Sequence, residues 1–309
     1  AGLSVLALLF PGQGSQYPDM FARIASDPLA AGTFDEAQAA LGYDIRTRDD
    51  VASLASTVNV QLGILVAGVA SARILEAREV YAQVVAGHSV GGFAAAVTAH
   101  AMTFADALHV VLERARTMER LFPGGFGMGV IAGLPERDVR EIVSEVSGDG
   151  AQVYVANVNA PTQCVVAGEN AALERALDAG KAAGARRADR LDVAVPSHCP
   201  LLAPVQARLE EVLASIEIRD PRVLYVGSVG PRVIRDARAL RDDLAAGVAH
   251  EVRWHDASTM LAEMGTNIFV ETLPGHVLTD LARAAFPRVR VIALDDVGVQ
   301  SAVSLARRA

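Results

Sequence analysis

Lysine is nearly missing from this chain. Of 28 basic residues only Lys181 is a lysine, and the other 27 are arginines. Lys181 lies in Ala179-Gly180-Lys181-Ala182, without the Ser or Thr and the spaced glycine of a phosphate-binding loop, so Schiff-base and phosphate-loop chemistry have no good candidate. Cysteine is as scarce: Cys164 and Cys199 support neither a disulfide framework nor a thiolate metal cage, and a reducing cytoplasm fits that usage. Positive charge is in deficit, with 36 acidic residues and a net charge of −8, which argues against nucleic acid or an anionic membrane as partner. The early apolar run, residues 3–10, is too short to span a bilayer, lacks a basic flank and ends in Pro-Gly, so it reads as a buried strand.

What is present is core-forming material: 51% hydrophobic and 21% charged residues describe a packed globular protein. At 309 residues the chain exceeds one ordinary domain of about 100–200, so an insertion into a large unit is expected. Short apolar runs bounded by Gly or Pro recur at 5–10, 84–86, 223–226, 268–270 and 289–294, with helical patterns between them. This alternation predicts an α/β fold with a mainly parallel, helix-covered sheet. Residues 127–192 differ. They read as strand 127–132, helix 136–147, strand 152–157, strand 163–168, helix 171–183 and strand 185–192. The βαββαβ order is ferredoxin-like. The expected organisation is a large α/β-hydrolase-like subdomain of residues 1–125 and 193–309, with a small ferredoxin-like subdomain, 126–192, inserted.

Gly87-His88-Ser89-Val90-Gly91 follows an apolar strand and precedes a small-residue helix, the context in which G-x-S-x-G makes a nucleophile elbow. The glycines permit the tight turn that lifts Ser89 to a helix N-terminus, where the dipole and the Val90 N–H favour a developing oxyanion. Serine needs a base. Two of the seven histidines are candidates: His276 in Pro274-Gly275-His276, where an α/β-hydrolase carries its catalytic histidine, and His198 between Pro196 and Pro200. The residues alone leave these two open. His250-Glu251 followed by His255 resembles a zinc motif, but on a helix five-residue spacing turns the second histidine by about 140°, so no metal is expected.

A helix over 104–122, capped by Thr103, buries Phe104, Ala107, Leu108, Val111, Ala115, Met118 and Phe122, and places Arg114 among apolar neighbours. A guanidinium there needs an anionic partner, and a substrate carboxylate is one. Phe10-Pro11-Gly12-Gln13-Gly14-Ser15-Gln16 closes the first strand, at the end where open α/β sheets bind ligands.

These segments, with Glu113-Arg114-Ala115, Asn157-x-Asn159-Ala160-Pro161-x-Gln163 and Pro196-Ser197-His198, resemble the malonyl-CoA:acyl-carrier-protein transacylases in order and spacing over nearly the whole chain. The resemblance implies Ser89 as acylated nucleophile, His198 as base, Arg114 as the malonyl carboxylate's partner, and the Gln13 and Val90 amides as oxyanion hole. It makes Gln61, His88 and Asn159 pocket positions. It also implies no permanently bound cofactor, a CoA thioester as donor, and the phosphopantetheine-type thiol of an acyl carrier protein as acceptor. Two departures stand out: Gly92-Phe93-Ala94 follows the elbow where the family carries Glu and an aromatic, and Gly247 stands where many members have a glutamine whose carbonyl orients the histidine.

The stretches 56–62, 248–257 and 274–281 look more like one branch, the epsilon subunit of malonate decarboxylase, which loads the carrier subunit of that complex. Alternatives are a transacylase of fatty-acid or polyketide synthesis, a serine hydrolase using Ser89 and His276, and a non-catalytic scaffold that binds a carrier. Arg186, Arg187 and Arg190 form a basic cluster that could meet an acidic carrier.

Overall fold

A computed structural model describes residues 5–148, 150–227 and 229–307. It contains two sheets. The larger is built from β1 (Leu6–Phe10) and β2 (Val84–Gly87) at its centre. The smaller holds β3 (Phe126–Ala132), β4 (Val153–Ala160), β5 (Gln163–Glu169) and β6 (Arg187–Arg190). The chain then returns to the larger sheet with β7 (Leu224–Val226), β8 (Val233–Ile234), β9 (Ile268–Glu271) and β10 (Arg290–Ala293). The large-sheet order is β10-β9-β1-β2-β7-β8, parallel throughout except for the short antiparallel edge pair β7–β8.

Strands of a parallel sheet are covered on both faces, and β1 shows why its sequence is apolar without alternation. Leu6, Leu8 and Phe10 enter one core, with Val85 and the apolar faces of helices 57–77, 91–98 and 104–121. Ala7 and Leu9 face the opposite core, with Trp254, Leu261 and Phe269. Of the residue 3–10 run, residues 3 and 4 lie outside the described residues, and Leu6–Phe10 is strand as expected. The helix Thr57–Ala77 is long and apolar enough to cross a membrane, yet most of it is buried in the protein core.

The small sheet has order β4-β5-β3-β6, antiparallel at every pairing, which is the ferredoxin-like arrangement with helices Glu136–Ser147 and Asn170–Ala182. Its own core centres on Ile131, Val139, Leu173 and Leu177. One seam matters for the site: Val158 N–H donates to the Val252 carbonyl and Val252 N–H to Ala156, so β4 is stitched to the segment that precedes helix Trp254–Glu263. This brings Asn157 and Asn159 beside the end of the large sheet.

Candidate active site

The elbow forms because only glycine fits on either side of Ser89. A Cβ on Gly87 would lie 2.2 Å from the Gly91 carbonyl carbon, and one on Gly91 would lie 2.2 Å from the Phe10 carbonyl oxygen. Ser89 itself takes φ 55°, the left-handed region that costs a side chain strain and that persists here because the turn is locked at both ends. The strain holds Oγ above the sheet, at the start of helix Gly91–Thr98.

His198 also has a positive φ, 59°, and its backbone N–H is tied to the Val248 carbonyl. Its Nδ1 lies 2.5 Å from the Gly247 carbonyl oxygen and its Nε2 2.8 Å from Ser89 Oγ. A carbonyl can only accept, so Nδ1 carries the proton and Nε2 is free to take the one on Ser89. Burial, then the Arg114 charge and His88, push the imidazole pKa down to about 3, which keeps it neutral and ready as a base. At the position where many family members carry a glutamine, the backbone carbonyl of Gly247 thus holds the imidazole with no side chain present. His276 sits elsewhere. It is exposed before helix Val277–Ala285, with Nδ1 2.7 Å from Asp296 Oδ1, so the alternative of a Ser89–His276 pair is not met: the imidazole on Ser89 is His198.

Arg114 is 3% exposed on the helix Phe104–Leu121. Its Nη2 donates to Ser89 Oγ at 3.3 Å and its Nη1 to Gln61 Oε1. Among the described residues no carboxylate forms an ion pair with it, and burial alone lowers its pKa to about 10, so at neutral pH it is a charged group lacking an anion. Gln61, fully buried, donates in turn to Thr57 Oγ1 (3.2 Å) and Met118 Sδ (3.4 Å), and Thr57 Oγ1 donates to Gln13 Oε1 at 3.0 Å. A single polar chain therefore joins the Gln13 loop to the arginine.

His88 turns away from Ser89, with Nε2 3.2 Å from Asn159 Oδ1 and its ring edge-on to Trp254 at 5.5 Å; burial lowers its pKa. A cavity of about 290 Å³ collects these groups. Gly12, Gln13, His88, Ser89, Arg114, Asn159 and His198 form its polar side, and Met128, Val130, Val165, Leu191 and Val193 its apolar wall. Thr57 and Trp254 were not among the sequence candidates. The four-residue spacing of Thr57 and Gln61 on one helix was the available signal for the first; nothing local announced the second.

One other expectation comes out differently. His250 lies in a turn outside the helix Trp254–Glu263 that carries His255, so the helical-angle argument does not apply; Glu251 is engaged with Arg140 and Arg253 instead. Among the described residues no group of three His, Cys, Asp or Glu is placed to hold a metal ion. In the basic cluster Arg187 pairs with Asp189 and Arg190 with Glu174. The cysteine thiols are buried and pushed up to about 12, so neither competes with Ser89 as nucleophile.

A family model described as the acyl transferase domain matches residues 7–302. The malonyl CoA-acyl carrier protein transacylase of Salmonella typhimurium is 37% identical over 97% of this chain and 99% of its own. The solved transacylase of Coxiella burnetii superposes with a TM-score of 0.93 at 33% identity, covering 97% of each chain. A malonyl-transacylase solved in complex with a type II PKS acyl-carrier protein gives 0.93 at 35% identity, over 98% of this chain and all of that one. The chain belongs to the malonyl-CoA:acyl carrier protein transacylase family of acyl transferases.

Proposed function

We propose that this protein moves malonyl from malonyl-CoA to the phosphopantetheine-type thiol of an acyl carrier protein through a malonyl ester on Ser89. The observation that carries the reading is that Ser89 Oγ donates to His198 Nε2 and accepts from Arg114 Nη2, so nucleophile, base and an anion-seeking cation meet at one atom. His198 Nε2 takes the Ser89 proton as Oγ attacks the thioester carbonyl. The oxyanion settles on the Gln13 and Val90 amides, each such donor being worth roughly 10²–10³ in rate. The C–S bond then breaks, and the proton on His198 passes to the departing CoA sulfur. Transfer to the carrier runs the same steps in reverse order: its thiol gives a proton to His198, sulfur attacks the ester, and Ser89 recovers the proton. Arg114 with Gln61 holds the malonyl carboxylate throughout, and the apolar wall from β3 and β5 limits water near the ester. No resident cofactor enters these steps.

The relatives described above carry the general transacylase name, which supports a malonyl-CoA:carrier transacylase of fatty-acid or polyketide synthesis better than the malonate decarboxylase epsilon subunit. That branch rests on the sequence stretches alone. Residues 126–192 are proposed as the inserted ferredoxin-like subdomain, and the two buried free thiols support a cytoplasmic setting. Intact-protein mass spectrometry tests the proposal. Malonyl-CoA should add one malonyl group, the adduct should persist until a holo-carrier is supplied, and Ser89→Ala should show none. Free malonate released without a carrier would replace the transferase with a hydrolase, and an unmodified wild-type protein would leave a scaffold.

A further inference from the structure

Glu271 is a carboxylate with no exposed surface that the transfer steps do not use. It ends β9, in register with Leu9 of β1, the strand that leads into the Gln13 loop. Both of its oxygens are occupied by backbone. Oε1 accepts the Leu278 N–H at 3.0 Å and Oε2 the Thr279 N–H at 2.6 Å. These are first-turn amides of the helix Val277–Ala285, which lack partners within the helix and sit at its positive end.

The intervening segment, residues 272–276, lies against the loop after β1. Thr272 N–H donates to Leu9, and Gly275 N–H to Asp295 Oδ2 at 2.6 Å. Gly275 has φ 78° and comes so close to the loop that a Cβ on it would stand 2.8 Å from the Ser15 carbonyl oxygen. Ser15 Oγ in turn closes the turn onto the Gly12 carbonyl at 2.7 Å, and Gln13 lies within that turn. On its other side Gly12 abuts the elbow, where a Cβ would lie 2.7 Å from the His88 carbonyl oxygen and 3.3 Å from Ser89 Cβ. Contact is therefore continuous from Glu271 through Gly275 and Ser15 to the Gln13 amide beside Ser89. Val277 and Leu278, at the clamped helix start, also line the cavity.

We propose that Glu271 is a positioning residue: by clamping the first turn of helix Val277–Ala285 it seats the 272–276 segment against Ser15 and so sets the distance of the Gln13 amide from the reacting carbonyl. Asp295 holds the same segment through the Gly275 N–H. The inference rests on the transfer reading, in which the Gln13 amide is an oxyanion donor.

The oxyanion forms on the thioester carbonyl, which malonyl-CoA and acetyl-CoA share, whereas Arg114 meets only malonyl. Glu271→Gln, which puts an N–H against one of the two amides, should lower the first-order acylation rate from both donors by a similar factor, roughly tenfold, and change KM for malonyl-CoA little. Gly275→Ala, which pushes Ser15 directly, should cost a comparable factor, and the double variant should lose less than the product of the two. If Glu271→Gln folds poorly by circular dichroism, Asp295→Asn carries the same test. A loss confined to malonyl, a rise in KM alone, losses that multiply, or unchanged rates would each overturn the inference. Wild-type protein that does not acylate at all would sink the transfer reading instead, so the two failures are distinguishable.

Discussion

Arg114 lowers the stability of the resting protein: a cation is buried with a glutamine oxygen and a serine hydroxyl as partners and, among the described residues, no carboxylate in ion-pair contact. Such a group is tolerated where a substrate completes it. Charged hydrogen bonds are worth about 1.5–3 kcal/mol, so Arg114→Ala should slow malonyl acylation of Ser89 by roughly 10- to 100-fold while leaving acetyl acylation close to its wild-type rate. Equal losses, read by quenched-flow mass measurement with the two donors, would remove the arginine from the carboxylate. The helical spacing of the sequence already made Arg114 conspicuous, because its neighbours on that face are apolar. It could not reveal Gln61, which meets Arg114 from a different helix, or Thr57, which ties both to Gln13. His198 and His276 were equivalent as residues in stiff loops; the difference is that one loop ends beside Ser89 and the other beside Asp296.

Elements were legible in proportion to how much of their partner was local. The helix Phe104–Leu121 has one apolar face and a capping residue, Thr103, whose Oγ1 accepts the Asp106 N–H at 3.0 Å. Thr103→Ala should cost about 1 kcal/mol in chemical denaturation and leave the acylation rate unchanged, since the cap lies about three turns from Arg114. A fall in rate with no loss of stability would show that the cap positions the arginine. The helix Thr57–Ala77 shows the opposite limit: it is buried on nearly all sides, so it has no polar face to give it a period, and only its structure reveals it as a helix. The edge strand β8 is two residues long and carries too short a pattern to read. The His250 to His255 stretch misleads because spacing arguments presume a continuous helix, and a turn ends before Trp254.

At the scale of the whole molecule, burying site groups couples folding to pH. His198 has its pKa lowered from 6.5 to about 3, so the unfolded chain binds a proton there that the folded one refuses. Its contribution is complete above pH about 6.5 and is lost as pH falls toward about 3. Glu271 acts in the opposite sense: burial raises it from 4.5 to about 7, so its contribution is complete below about 4.5 and is lost as pH rises through about 7. The histidine shift is the larger. Tm should therefore fall as pH drops from 6.5 toward 4, and His198→Gln should flatten that fall; the same slope in both proteins would assign the acid sensitivity to other groups. The sequence by itself determined the chemistry available, an oxygen nucleophile at a strand-turn-helix elbow in a chain almost without lysine and cysteine, because composition and tight-turn glycines act locally. It also determined the βαββαβ order, since the two helices carry an apolar face and the strands are short apolar runs between them. Which histidine serves Ser89, what holds Arg114, and how Glu271 reaches Ser15 were decided only by tertiary structure. Each depends on groups more than fifty residues apart, or on loops from different strands, which no local pattern encodes.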